Sequence, residues 1–272
     1  MNLENPNQYK GWSRTIIILG LHLLVIMAHS LVLALGETRD ACAESPPLYD
    51  LAHDLAAQGH WFFSNLKYIN HDIVIFSLWA FLLLLIIRHP QGQLLFRRYL
   101  LFHSMMSVIR ATMIFVTTIP SPNGLCRDRY MEIGSVFERS IGLTLSAVGF
   151  PYDWHQIGPE GITCCDIIIS GHTSMLIVLV MVVTSAFTSR SLRIALWMLT
   201  TVGFAGVITV DRHYTVDMLI TLLIGWLIIS WYTLKVKDQQ RGLFGYIEQQ
   251  ERFGFGIKRV RLLELIPFTK KK

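Results

Sequence analysis

Cys165-Asp166-Ile167-Ile168-Ile169-Ser170-Gly171-His172-Thr173 opens a stretch that continues Ser174-Met175-Leu176-Ile177-Val178-Leu179-Val180 and stays apolar to Phe187. A run of that length suits a helix rising 1.5 Å per residue across roughly 30 Å of hydrocarbon. A polar cluster sits at its start. Read as a membrane helix, Ile167–Phe187 decides the fold, because five similar runs accompany it: Thr15–Leu35, Ile69–Ile87, Tyr99–Ile119, Leu192–Val210 and Met218–Leu234. The first is read as a helix rather than a signal peptide, since it ends in Ala34-Leu35-Gly36 and an acidic stretch without a small-residue cleavage site.

Composition agrees. The 272 residues are 52% hydrophobic and 16% charged, with a mean hydropathy of +0.44, far from the makeup of a soluble domain. The expected fold is all-α, a polytopic membrane protein of six transmembrane helices. It divides into a cytosolic segment over 1–14, a transmembrane catalytic domain over 15–234 and a basic cytosolic tail over 235–272. Nothing is left over for a separate soluble catalytic domain.

Lys and Arg set the orientation, because positively charged loops stay cytosolic. Lys10 and Arg14 precede the first run, Arg88, Arg97 and Arg98 lie around the second connection, Arg190 and Arg193 around the fourth, and the densest group follows Lys235. Both termini are therefore expected in the cytosol, with loops 36–68, 120–166 and 211–217 on the lumenal or outer face. The net charge of +5 then meets anionic lipid headgroups and requires no nucleic acid. Cys42, Cys126, Cys164 and Cys165 all fall on the lumenal side, where oxidation is permitted. Their spacing does not suggest a metal, and no cofactor is expected.

Two polar segments interrupt the apolar second half: 165–173, and Asp211-Arg212-His213-Tyr214-Thr215-Val216-Asp217. One span leads from the first to the cytosol and the next returns, so His172 and His213 emerge on one face. Each segment opens a helix, and a helix start offers unpaired backbone N–H groups and a partial positive charge. Two such starts converging would hold a phosphate, with hydroxyls from Ser170 and Thr173. His213 and Asp217 are four apart and share a helical face, so the carboxylate can hydrogen-bond one imidazole nitrogen and leave the other as nucleophile. His172 suits the acid and base role, its ordinary pKa lying near neutrality. Asp166 orients it if the chain turns around Gly171. Arg110 lies deep in the third span, where an ionisable residue is costly and lines a site by default. It and Arg212 are the candidate phosphate partners.

At these residues the sequence resembles the sphingomyelin synthase family, a branch of the lipid phosphate phosphatase superfamily. The matching text is Cys-x-Asp-x-x-x-Ser-Gly-His-Thr over 164–173, with Cys165 where the family usually has Gly, and His-Tyr-Thr-Val-Asp over 213–217. Arg110 with Thr112, Met113, Thr117, Thr118 and Pro120 is similar to the family's third-span motif. The resemblance implies transfer of a phosphoalcohol headgroup (phosphocholine, phosphoethanolamine or phosphoinositol) from a glycerophospholipid to ceramide, with release of diacylglycerol. It implies His172, His213 and Asp217 as catalytic residues, and a phosphohistidine intermediate. The wider phosphatases add an upstream Lys/Arg-Pro run and an Arg six residues before the second histidine; position 207 here is Val207 and no such run is found, which favours a diester donor. The competing readings are a lipid phosphatase or phospholipase C-like hydrolase on the same site, and a non-enzymatic lipid transporter or scaffold. Ceramide, glycerophospholipid and membrane lipids are the expected partners, and a homo-oligomer is compatible with the chain. Among locations the Golgi ranks ahead of the plasma membrane and endoplasmic reticulum.

Overall fold

Backbone N–H and C=O groups in hydrocarbon must be satisfied within the protein, which leaves helices and closed barrels as spanning solutions. The computed structural model describes residues 6–38, 48–58, 71–117, 119, 135–147, 169–209 and 213–238. Among these described residues every regular element is helical: α1 (Pro6–Glu37), α2 (Leu51–Ala57), α3 (His71–Arg88), α4 (Gly92–Val116), α5 (Val136–Ala147), α6 (Gly171–Ala186), α7 (Arg190–Thr209) and α8 (Thr215–Asp238). Within this part of the chain, α2 and α5 are additions to the expected pattern. Both lie in segments read from sequence as lumenal loops. The four cysteines lie outside the described residues, as does most of the basic tail.

Four helices are long and apolar enough to cross a membrane, over Trp12–Gly36, Gly92–Val116, Arg190–Ile208 and Thr215–Lys235. The remaining two expected spans form shorter apolar helices, Ile73–Arg88 and Gly171–Ala186. With 16 residues, α6 is about 24 Å long, less than the ~30 Å of hydrocarbon. Its surroundings explain how so short a helix is accommodated. It packs against α3, α4, α7 and α8, and every residue from Thr173 to Thr184 is buried. A helix ringed by protein can be apolar all round and need not itself match the bilayer. The helices around it face outward differently: Leu219, Leu223, Trp226 and Leu227 of α8 are exposed, as lipid-facing side chains would be.

The pairing of α1 with α4 shows a second device. Buried positions Thr15, Ile18, His22, Ile26, His29, Leu33 and Gly36 recur every three or four residues, a narrow helix-packing seam. Small and polar residues on such a seam let membrane helices approach and hydrogen-bond. His22 Nδ1 lies 2.8 Å from Ser104 Oγ, and a Cβ on Gly36 would stand only 3.0 Å from Ile114 Cγ2. The C-terminal ends of α1 and α4 therefore lie together, and α5 packs beside them through Val136 and Leu143.

Close packing of α8 on the hub is tested at Gly225, where an added Cβ would meet Ile177 Cγ2 at 3.0 Å and Met106 Cε at 3.4 Å. Gly225→Leu should cost about 1–3 kcal/mol through overpacking. Gly20→Leu, with nothing within 4 Å of its Cβ, should not. Thermal melting of the detergent-solubilised protein checks both, and equal effects would contradict the packing described.

Candidate active site

The starts of α6 and α8 lie within an apolar bundle, and each brings backbone N–H groups with no acceptor in its own helix. Ser170 caps α6. Its φ of −62° and ψ of 126° are those of an N-cap, and its hydroxyl oxygen accepts from Thr173 N at 3.2 Å. Ser170 and Thr173 are fully buried. The Thr173 hydroxyl reaches Met218 Sδ at 2.7 Å, which ties the first turn of α6 to the first turn of α8. The two polar segments thus meet at one end of the bundle.

Tyr214 occupies the cap position of α8. Asp217, three residues on, reaches back so that its Oδ2 accepts from Tyr214 N at 2.9 Å, one half of a capping box. His213 and Asp217 are both buried, and His213 Nδ1 stands 3.8 Å from Asp217 Oδ2. This is ion-pair rather than hydrogen-bond distance. The spacing of four does put the two side chains on one face, but the carboxylate oxygen facing the ring already holds the Tyr214 N–H.

Arg110 arrives from α4. A Cβ built on Gly171 would overlap its guanidinium, so the cation packs directly on the backbone at the start of α6, next to His172. Glycine is what permits that approach. The His172 ring is half-buried and meets Phe76 of α3 edge-on, with centroids 5.9 Å apart. Asp166 and Arg212, the other two residues singled out from the sequence, lie outside the described residues.

A third component comes from residues 48–58, part of the 36–68 segment expected as a lumenal loop. Asp50 caps α2, its Oδ1 accepting from Ala52 N at 2.9 Å, and the same carboxylate accepts from the start of α8: Thr215 N at 2.6 Å and Thr215 Oγ1 at 2.9 Å. His53 Nε2 lies 3.0 Å from the carbonyl oxygen of His213, and Leu48 N donates to Tyr214 Oη at 2.8 Å. Burial works to raise the Asp50 carboxyl, but the Thr215 amide and hydroxyl and the Ala52 amide hold it below the ordinary 3.8. An Asp followed by a short apolar helix is a readable cap signal. Its partner 165 residues away has no sequence signature.

The expectation that both helix starts bind phosphate is therefore revised. At α8 Asp50 and Asp217 accept from the Thr215 and Tyr214 N–H groups, so those two donors are already taken. The Arg110 guanidinium lies at the α6 start beside His172, and an arrangement of a cation with a helix start can attract an anionic group. Among the described residues no group of three or more His, Cys, Asp or Glu is placed to hold a metal.

Residues 163–234 match the family described as PAP2 superfamily C-terminal, and both histidine segments fall in that range. Sphingomyelin synthase-related protein 1 of Mus musculus is 27% identical over 199 residues, which are 69% of this chain and 38% of that protein. Phosphatidylcholine:ceramide cholinephosphotransferase 1 of Rattus norvegicus is 25% identical over 239 residues, 84% of this chain and 53% of the relative. Phosphatidylcholine:ceramide cholinephosphotransferase 2 of Caenorhabditis elegans is 27% identical over 188 residues, 64% and 52% of the two chains. The match thus spans about half, or less, of these relatives' lengths.

Asp217 has a structural task separable from any chemistry. Asp217→Ala strands the Tyr214 N–H and should destabilise by about 1–2 kcal/mol. Asp217→Asn keeps an acceptor oxygen and should melt near wild type. Equal losses in the two variants would show that the cap hydrogen bond is not what Asp217 contributes.

Proposed function

We propose that this chain, which its similarities assign to the sphingomyelin synthase and lipid phosphate phosphatase superfamily, is a membrane-embedded sphingolipid synthase. It moves a phosphoalcohol headgroup from a glycerophospholipid to the primary hydroxyl of ceramide and releases diacylglycerol. The reading takes all six apolar helices as spans, both termini as cytosolic and the site as lumenal or exoplasmic. The observation that carries it is the meeting of Arg110, the Gly171-His172 helix start and the His213–Asp217 turn at one end of the bundle.

In this reading Arg110 and the start of α6 hold the phosphodiester. His213, with Nδ1 turned to Asp217, attacks phosphorus through Nε2. The bond from phosphorus to the diacylglycerol oxygen breaks as His172 delivers a proton to that oxygen. Ceramide's hydroxyl then gives its proton to His172 and attacks the phosphohistidine, which restores both rings. Transfer rather than hydrolysis requires that water be kept from the intermediate, and a site sunk among apolar helices favours that. Both substrates are insoluble and enter sideways from the bilayer.

Purified protein in vesicles containing phosphatidylcholine, phosphatidylethanolamine or phosphatidylinositol, supplied with fluorescent ceramide, tests this directly. The expected result is a ceramide-dependent phosphosphingolipid matched by diacylglycerol, lost about a thousandfold or more in His213→Ala. Release of phosphate or phosphoalcohol without ceramide would instead identify a hydrolase. Lipid binding with no turnover, unaffected by His213→Ala, would identify a carrier.

A further inference from the structure

We propose that Asp50 and His53 are positioning residues for the transfer, forming a clasp from residues 48–58 that sets where His213 stands. The proposal rests on the sphingolipid synthase reading and deepens it at the same site.

Four polar groups of residues 213–215 are held from residues 48–53: the His213 carbonyl by His53, the Tyr214 hydroxyl by Leu48 N–H, and the Thr215 amide and hydroxyl by Asp50. From α8 itself, Asp217 supplies the acceptor for Tyr214 N–H. The turn that carries the nucleophile is therefore braced largely by a segment remote in sequence. A carbonyl only accepts, so His53 Nε2 carries the proton in its hydrogen bond to His213. Its ring also lies 5.8 Å from that of Tyr214, which limits where it can swing. Asp50 is ionised at neutral pH, its carboxyl lying below the ordinary 3.8, and both its oxygens accept. An anion at the start of α8 also opposes the positive end of that helix, which leaves Arg110 and the α6 start to attract the phosphodiester.

His53 and Asp50 hold the backbone of residues 213 and 215. Their effect runs through the His213 backbone, and displacements of about 1 Å at a reacting group can cost a hundredfold in rate. Losing the clasp should thus lower kcat and leave substrate capture nearly intact. A merely structural role would instead lower the amount of folded enzyme without changing the turnover of what remains.

The test uses the full chain in vesicles, with kcat and KM measured for ceramide and for the donor lipid, melting temperature, and deuterium exchange over residues 213–217. For His53→Ala and Asp50→Asn we expect kcat about tenfold lower, KM within about twofold, near-normal melting of the bundle and faster exchange in the turn. His53→Gln, whose amide can donate to the same carbonyl, should recover most of the kcat. An unchanged kcat despite faster exchange overturns the proposal. So does a loss that follows melting temperature and is not rescued by Gln. Wild-type protein with no ceramide-dependent transfer would bring down the parent reading; unchanged exchange in the variants would bring down the clasp alone.

Discussion

A helix that starts inside an apolar bundle leaves its first N–H groups in need of acceptors, and the arrangement of this site follows from how that need is met. At α6 the Ser170 hydroxyl takes the Thr173 amide, and at α8 Asp217 takes the Tyr214 amide while Asp50 takes the Thr215 amide. The two solutions differ in charge. A neutral cap leaves the α6 start positive, and Arg110 adds a full cation there. At the α8 start the Asp50 carboxylate supplies the opposite charge.

The hub position of α6 gives this polarity a fixed frame. Because Thr173 through Thr184 are enclosed by neighbouring helices, the first turn of α6 cannot shift without repacking them. Gly171 admits the Arg110 guanidinium on one side, and Thr173 meets Met218 on the other.

Much of this was legible in the sequence, for identifiable reasons. Apolar runs locate membrane helices because the bilayer penalises every exposed polar group, and each of the six runs contains a helix. One edge moved where a cap overrode hydropathy: Ile169 reads as span, yet Ser170 caps a helix that starts at Gly171. The spacing of four placed His213 and Asp217 on one face. Spacing says nothing about what else competes for a carboxylate, so it missed that the Tyr214 amide comes first. Asp50 and His53 were invisible as site residues because their partners lie 165 and 160 residues away, and one sequence carries no record of such pairings. Gly171 is legible as part of a motif, but the guanidinium it admits shows only in three dimensions.

In the proposed transfer, His213 carries the phosphoalcohol covalently between donor and ceramide. Brief mixing of the protein with a glycerophospholipid labelled at phosphorus, followed by alkaline quenching and peptide mapping, measures this directly. The account predicts an acid-labile, alkali-stable phosphoalcohol adduct on the peptide bearing His213 that is discharged when ceramide is added. Product formation with the label on His172 or a hydroxyl side chain, or with no adduct at any time short enough to precede turnover, would contradict it.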